Sequence, residues 1–151
     1  MSRIQALAAI AVISLLPMTA AAQTAPKQKS LYERLGGKTA ITAVVDEFVG
    51  RVAADNRINH FFAATAANPA QLAAFKGKLV DQICQAAGGP CTYAGRDMKT
   101  AHQGMGITAA DFNALVEDLV GALDKFKVGA AEKNQLLGVL GPMQGAIVEK
   151  R

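Results

Sequence analysis

The sequence contains two histidines, His60 and His102, and the residues around them limit the chemistry they can perform. No serine or cysteine stands at a recognisable triad spacing from either imidazole, so a nucleophile activated by histidine is not predicted. The Glu-x-x-His pairs of di-iron bundles, the His-Glu-x-x-His motif of zinc proteases and the glycine-rich phosphate loops are absent as well. Two roles therefore remain for these histidines. One is a single imidazole that binds a metal, and the other is a residue with no catalytic or metal-binding role.

The segment 98–108 gives His102 its setting. His102 falls on a predicted short helix, one turn after Met98, and a turn containing Gly104 and Gly106 follows it. A single imidazole can bind haem iron from one side when its ring is held and water is excluded. On spacing alone, a surface or hydrogen-bonded histidine is the commoner role, and both interpretations stay open. The chain has no Cys-x-x-Cys-His motif, so covalent c-type haem is not indicated.

Helices must position these residues, because no segment has the alternating pattern of a strand. Ser30 and Glu33 form a capping box that starts a short helix, and Gly36 and Gly37 end it. A second helix is predicted over 39–53 from an apolar period of about 3.6 residues. The apolar positions of this period are Ile41, Val44, Val45, Phe48, Val49 and Val52.

Similar signals define the later elements. Asn68 followed by Pro69 is typical of a helix start. Thr108 and Asp111 repeat the capping-box pattern, and Pro142 should bend the last helix. The remaining predicted elements are a helical turn at 58–62, a short helix at 98–103 and a last helix that begins near Ala130. We expect an all-α, single-domain fold with two long C-terminal helices and shorter helices before them.

The composition suits such a fold and excludes some partners. The 151 residues are 51% hydrophobic and include five prolines, as expected for one compact helical domain. The net charge is +4, and the Lys and Arg residues are scattered, without basic runs or interleaved aromatic residues. Nucleic-acid binding is therefore not predicted.

The first 22 residues have the pattern of a secretory signal peptide. Arg3 supplies a positive charge, residues 4–16 form an apolar run too short to span a membrane, and Ala20-Ala21-Ala22 offers a cleavage site. We therefore divide the chain into a cleaved signal peptide (1–22), a flexible leader (23–29) and one domain (30–151). The mature protein is expected to be periplasmic or secreted and free of the membrane.

The two cysteines, Cys84 and Cys91, flank the turn Gly88-Gly89-Pro90. Export would place them where disulfides persist, and the turn would let the chain fold back between them. The sequence leaves open both a disulfide and two free thiols.

A series of motifs extends from Leu31 to about Ile147. In chain order the motifs are Leu31-Tyr32-Glu33-Arg34-Leu35-Gly36-Gly37, Phe48 with Arg51-Val52, Phe61-Phe62, Lys76-Gly77-Lys78, Gly88-Gly89-Pro90, Tyr93 with Gly95, Met98-Lys99, Ala101-His102, Gly106-Ile107-Thr108 and Phe112. In these motifs the chain resembles the group I truncated haemoglobins. The agreement is closest around His102.

The resemblance implies a two-over-two helical sandwich around a non-covalent b-type haem. It implies that His102 is the proximal iron ligand and that Lys78 lies near a haem propionate. It also implies that the porphyrin contacts Phe62, Phe75, Leu79, Met98 and Phe112. Phe48 and Val49 of the second helix complete the predicted cofactor-binding residues.

Val49 marks a departure from this family, because many relatives carry a tyrosine there that hydrogen-bonds bound oxygen. Phe75 and Leu79 lie one turn apart on the distal helix, so no donor is predicted beside a bound gas. Loss of a bond worth ~1.5–3 kcal/mol would raise oxygen dissociation roughly 10- to 150-fold. Carbon monoxide and nitric oxide would be affected less.

Two side chains are candidates for a sixth iron ligand. In some relatives the residue at the position of Lys78 swings in to bind the iron, which here would require a neutral amine. A solvated Lys78 that pairs with a propionate is the alternative. His60 is a weaker candidate because it precedes Phe61 and Phe62, outside the distal helix.

Several functions follow from these possibilities. Reversible binding of a diatomic gas is favoured. The alternatives are a haem enzyme, such as a nitric oxide dioxygenase or a peroxidase, an electron carrier with a six-coordinate haem, and a helical protein without haem. The enzymatic and redox alternatives need an external reductase or electron donor. The apolar distal side also lacks the acid–base group that assists peroxide cleavage.

Overall fold

The computed structural model describes residues 27–150, so the predicted signal peptide and most of the predicted leader lie outside the described residues. Its helices are α1 (Leu31–Arg34), α2 (Gly37–Ala54), α3 (Ala63–Ala66), α4 (Pro69–Ala86), α5 (Met98–His102), α6 (Ala109–Lys125), α7 (Ala130–Leu140) and α8 (Gln144–Ile147). Two 3-10 turns, Asn59–Phe62 and Gly141–Met143, precede α3 and α8. Over this range no helix is both long enough and apolar enough to cross a membrane.

Side-chain caps start three helices where the sequence predicts them. The Ser30 hydroxyl accepts a hydrogen bond from the Glu33 backbone N–H, and the Glu33 carboxylate accepts one from the Ser30 N–H. Thr108 and Asp111 make the same reciprocal pair at α6. The Asn68 side chain caps α4. These three predicted helix starts are confirmed.

The expectation of two long C-terminal helices is wrong. The longest helices are α2, α4 and α6, with 18, 18 and 17 residues, whereas α7 has 11. Pro142 divides the final segment into α7, a 3-10 turn and α8, because its ring cannot continue an α-helix. At the other end of the chain, the positive φ of Gly36, 94°, turns the backbone directly into α2.

The helices enclose a main core and a smaller second core. α2 packs against both α4 and α6, and its buried face lies in the main core. The buried residues of α2 are Ile41, Val44, Val45, Phe48 and Val52. The second core consists of Ile107, Phe112 and Ile147, with Met98 of α5 packed against it. This second core supports the segment that carries His102.

Cys84 and Cys91 form a disulfide, with their Cα atoms 5.7 Å apart. The bridge links the last turn of α4 to the loop that leads to α5. Gly89 lies close to it, since a Cβ built there would be 2.5 Å from Tyr32 Cδ2 and 2.7 Å from Cys84 Sγ. This approach requires glycine. Of the two thiol states left open by the sequence, the structure has the bridge.

Candidate functional site

The helix α5 presents His102 as its last residue. Asp97 caps the helix, because its Oδ1 accepts a hydrogen bond of 2.9 Å from the Thr100 backbone N–H. A helix of five residues is not stable by itself, so its cap and its packing must hold it. The Met98 side chain provides such packing against the second core.

The imidazole of His102 is oriented by a bond to the preceding turn. Its Nδ1 lies 2.7 Å from the carbonyl oxygen of Met98. Because a carbonyl oxygen can only accept, Nδ1 carries the proton and donates it. In the neutral ring Nε2 then keeps a lone pair, and the side chain is half-buried. A metal-binding histidine is commonly held in this way, by a bond from its other nitrogen.

The helix α4 supplies a largely apolar face. The Phe75 ring lies 5.7 Å from the Phe62 ring, between centroids. Leu79 and Phe62 both pack against the main core and are half-buried. Lys78 is exposed on the same helix, and no ion pair of Lys78 occurs among the described residues.

Gln82 continues this face and is a residue that our sequence reasoning missed. Its Nε2 lies 3.4 Å from the Sδ atoms of both Met98 and Met143. The amide therefore joins α4 to α5 and to the second 3-10 turn. The apolar face of α4 and the helix that carries His102 thus lie next to each other. Its position seven residues after Phe75, on the same helical face, was the available signal.

The structure divides the predicted site residues between the two cores. The residues in or against the second core are Met98 and Phe112, and those in or against the main core are Phe48, Val49, Phe62 and Leu79. Phe48 is buried, 7% exposed, within the main core, whereas Val49 is half-buried. Phe61 packs against both cores and so connects the two groups.

His60 lies apart from this arrangement. It is exposed on the first 3-10 turn, and its ring stacks on Phe61 with 4.0 Å between the centroids. Between residues 27 and 150, no three His, Cys, Asp or Glu side chains cluster as a metal site. One half-buried imidazole without a cluster of other ligands in the described range suits haem, because the porphyrin itself supplies four ligands to the iron.

A groove of about 330 Å³ between α2 and α4 is separate from these residues. Two ion pairs rim it, Lys38–Asp81 at 3.0 Å and Lys76–Asp46 at 2.9 Å. None of the predicted cofactor-binding residues lines it.

The sequence matches the family model of the bacterial-like globins over residues 30–149. The group 1 truncated hemoglobin of Mycolicibacterium paratuberculosis is 38% identical over 114 residues, which are 76% of this chain and 80% of that relative. This chain belongs to the group I truncated haemoglobins. Family membership supports haem-based binding of diatomic gases by this truncated haemoglobin.

Solved structures confirm the fold of this truncated haemoglobin. The Fe(III) truncated hemoglobin of Tetrahymena pyriformis has a TM-score of 0.72 and 31% identity, covering 80% of this chain and 98% of the other. The 2/2 hemoglobin of a Synechococcus species, solved in the cyanomet state with covalently attached haem, has a TM-score of 0.72 and 32% identity. Its alignment also covers 80% of this chain and 98% of the other. The predicted all-α, two-over-two helical sandwich is therefore confirmed.

Proposed function

We propose that this truncated haemoglobin is an exported protein that reversibly binds oxygen or another diatomic gas at a non-covalent b-type haem, with His102 as the proximal ligand. When bound, the haem would supply the iron at which the gas binds. The observation that carries the proposal is the bond from His102 Nδ1–H to the Met98 carbonyl, which leaves Nε2 for the iron.

The other residues of the site would hold the porphyrin and keep water away. Phe75 and Leu79 of α4 would contact one side, and Met98 and Phe112 the side of His102. Lys78 is exposed and carries a positive charge, which suits pairing with a propionate. Val49 offers no hydrogen-bond donor, so oxygen would be held less tightly than in relatives with tyrosine at this position.

Two observations support export. Residues 1–22 have the charge, apolar run and small-residue site of a signal peptide. The Cys84–Cys91 bridge is of the kind that persists outside the reducing cytosol. Isolation of the mature protein from its native cells would test this directly: export requires that its sequence begin near Gln23 and not at Met1.

The haem assignment is tested by comparing His102→Ala with the matched variant His60→Ala. We expect His102→Ala to lose the haem absorption band or to change the five-coordinate ferrous spectrum, because the iron loses its protein ligand. His60→Ala should keep the wild-type spectrum, since His60 lies outside the site. A wild-type spectrum in His102→Ala would contradict the proposal.

The same spectra separate gas binding from the alternatives. A five-coordinate or water-bound ferric wild type agrees with gas binding. A low-spin ferric wild type that becomes high-spin in Lys78→Ala would instead support a six-coordinate electron carrier. Rapid nitrate formation from nitric oxide by the oxygenated protein would support a dioxygenase that works with an external reductase.

A further inference from the structure

The C-terminal tail, residues 148–150, lies across the turn that follows His102. The backbone N–H groups of Glu149 and Lys150 donate to the carbonyl oxygen of Ile107, at 2.9 and 3.2 Å. Lys150 also forms a parallel β-bridge with Thr108. Backbone bonds thus fix the register of the tail on this segment.

The side chain of Glu149 reaches from the tail back to the turn. Its Oε1 accepts a hydrogen bond of 2.6 Å from the Gly104 backbone N–H, and its Oε2 accepts one of 2.5 Å from the Gly106 N–H. These two bonds hold the pKa of Glu149 below its usual value. The carboxylate is therefore ionised at neutral pH, and both bonds are charge-assisted.

The backbone of the turn is shaped to receive such an anion. Gly104 and Gly106 have positive φ angles of 81° and 68°. Residues in the left-handed conformation let neighbouring backbone N–H groups converge on one anion. Here that anion is the carboxylate of Glu149. The turn is tied to His102 itself, because the Met105 N–H donates to the His102 carbonyl oxygen at 3.1 Å.

The two ends of α5 are therefore held by two different acids. Asp97 caps the first turn, and Glu149 holds the turn that follows the last residue. A helix of five residues has little rigidity of its own, so a shift of either end would tilt it and turn the imidazole.

We propose that Glu149 is a positioning residue, which clamps the 104–106 turn and thereby sets the direction in which His102 Nε2 points. This inference rests on the proposed function, in which Nε2 binds the haem iron. Glu149 does not itself touch the cofactor in this role, and it acts through the turn and α5.

The test compares Glu149→Gln with Glu117→Gln in haem-loaded, reduced protein without a gas ligand. Glutamine has the size of glutamate, but its Nε2 cannot accept, so the charge and one of the two bonds are lost. Glu117 pairs with Arg57 at 2.8 Å on the exposed side of α6, which makes its variant a control for loss of a surface charge. Resonance Raman spectroscopy gives the iron–histidine stretching frequency, which depends on the tilt of the imidazole.

We expect Glu149→Gln to shift this frequency and to raise the rate of haem transfer to apomyoglobin about tenfold, as for one charge-assisted bond lost. Glu117→Gln should leave both at wild-type values. A second measurement is amide hydrogen exchange in the carbon monoxide complex. The peptide spanning 103–108 should exchange faster than in the wild type in Glu149→Gln but not in Glu117→Gln. A purely structural role of Glu149 would change the melting temperature but not the frequency.

The outcomes separate this inference from the proposed function. Unchanged frequency and unchanged exchange in Glu149→Gln, with His102 bound to iron, would overturn the inference and leave the function standing. A wild-type chain that binds no haem would overturn both.

Discussion

The Nδ1–H of His102 donates to the carbonyl oxygen of Met98, and these two residues are the last and the first of α5. The bond therefore exists only while α5 is helical. A helix of this length depends on the groups that satisfy its ends, since most of its backbone N–H and C=O groups have no partner inside it. The orientation of the imidazole therefore depends on the Met98 carbonyl and, through the stability of α5, on the residues outside the helix that hold its ends.

Removal of the cap at Asp97 should loosen the histidine. Asp97→Ala removes the acceptor for the Thr100 N–H, and such a loss costs ~0.5–2 kcal/mol of stability. We expect a lower free energy of unfolding in urea and faster haem loss. Asp97→Asn keeps the Oδ1 acceptor and should stay close to wild type. Equal loss in both variants would show that the charge, and not the cap, matters.

Replacement of Gly89 should disturb its close packing against Tyr32 and Cys84. The Cβ of Gly89→Ala would lie 2.5 Å from the Tyr32 ring, and overpacking of this kind costs ~1–3 kcal/mol. Gly138→Ala is the control, because a Cβ there meets nothing within 4 Å. That control should stabilise α7 by up to about 1 kcal/mol. Urea unfolding measures the free energy of unfolding of both variants. An unchanged value in Gly89→Ala would contradict the close packing.

A donor introduced at Val49 should slow oxygen release. Val49 is half-buried against the main core, and Val49→Tyr would add a hydroxyl there. One hydrogen bond to the bound gas corresponds to roughly tenfold slower dissociation or more. Stopped-flow measurement should find no such slowing in Val49→Phe, which has the ring without the hydroxyl. Equal rates for the two variants would show that this position does not face the gas.

Asp118 should make stability depend on pH in an identifiable way. Its Oδ2 is buried and lacks a hydrogen-bond partner among the described residues. Burial, and then the charge of Asp55, raise the pKa of Asp118. The ionised form is therefore disfavoured in the folded protein, and stability is lost as the pH rises from the usual aspartate pKa through the raised one.

Asp118→Asn removes this titration while keeping the shape of the side chain. We expect Asp118→Asn to raise the free energy of unfolding near pH 7, where the aspartate of the unfolded chain is ionised. Near pH 3 the free energy should change little, because Asp118 is then mostly protonated in both the folded and the unfolded states. Urea unfolding at the two pH values gives the comparison. An equal effect at both would indicate that charge is not the cause.

The helix starts could be predicted because their signals are local. Ser30 and Glu33 are three residues apart and cap the same turn, as do Thr108 and Asp111. The contacts of Glu149 with the 104–106 turn join residues 45 and 43 positions apart, which no local pattern contains. Helix α3 was also not predicted, because its sequence, Ala-Ala-Thr-Ala, has no apolar period.

The candidate site was predictable to a similar extent. The position of His102 at the end of a short helix, one turn after Met98, follows from the sequence. The sequence does not show that Nδ1 bonds to the Met98 carbonyl, since that depends on the side-chain rotamer. Gln82 was missed because a polar residue interrupts the apolar pattern by which a buried helix face is recognised. Its contacts nevertheless join α4 to α5.

The disulfide between Cys84 and Cys91 joins the end of α4 to the loop before α5, so the start of this loop is covalently fixed to α4. The opposite end of α4, from Pro69 to Gln71, is exposed. Among the described residues, the covalent link therefore acts at one end of α4, the end nearer to α5 along the chain. A chain oxidised before it meets its cofactor therefore has fewer conformations open to the segment before His102, because only residues 92–97 separate the bridge from α5.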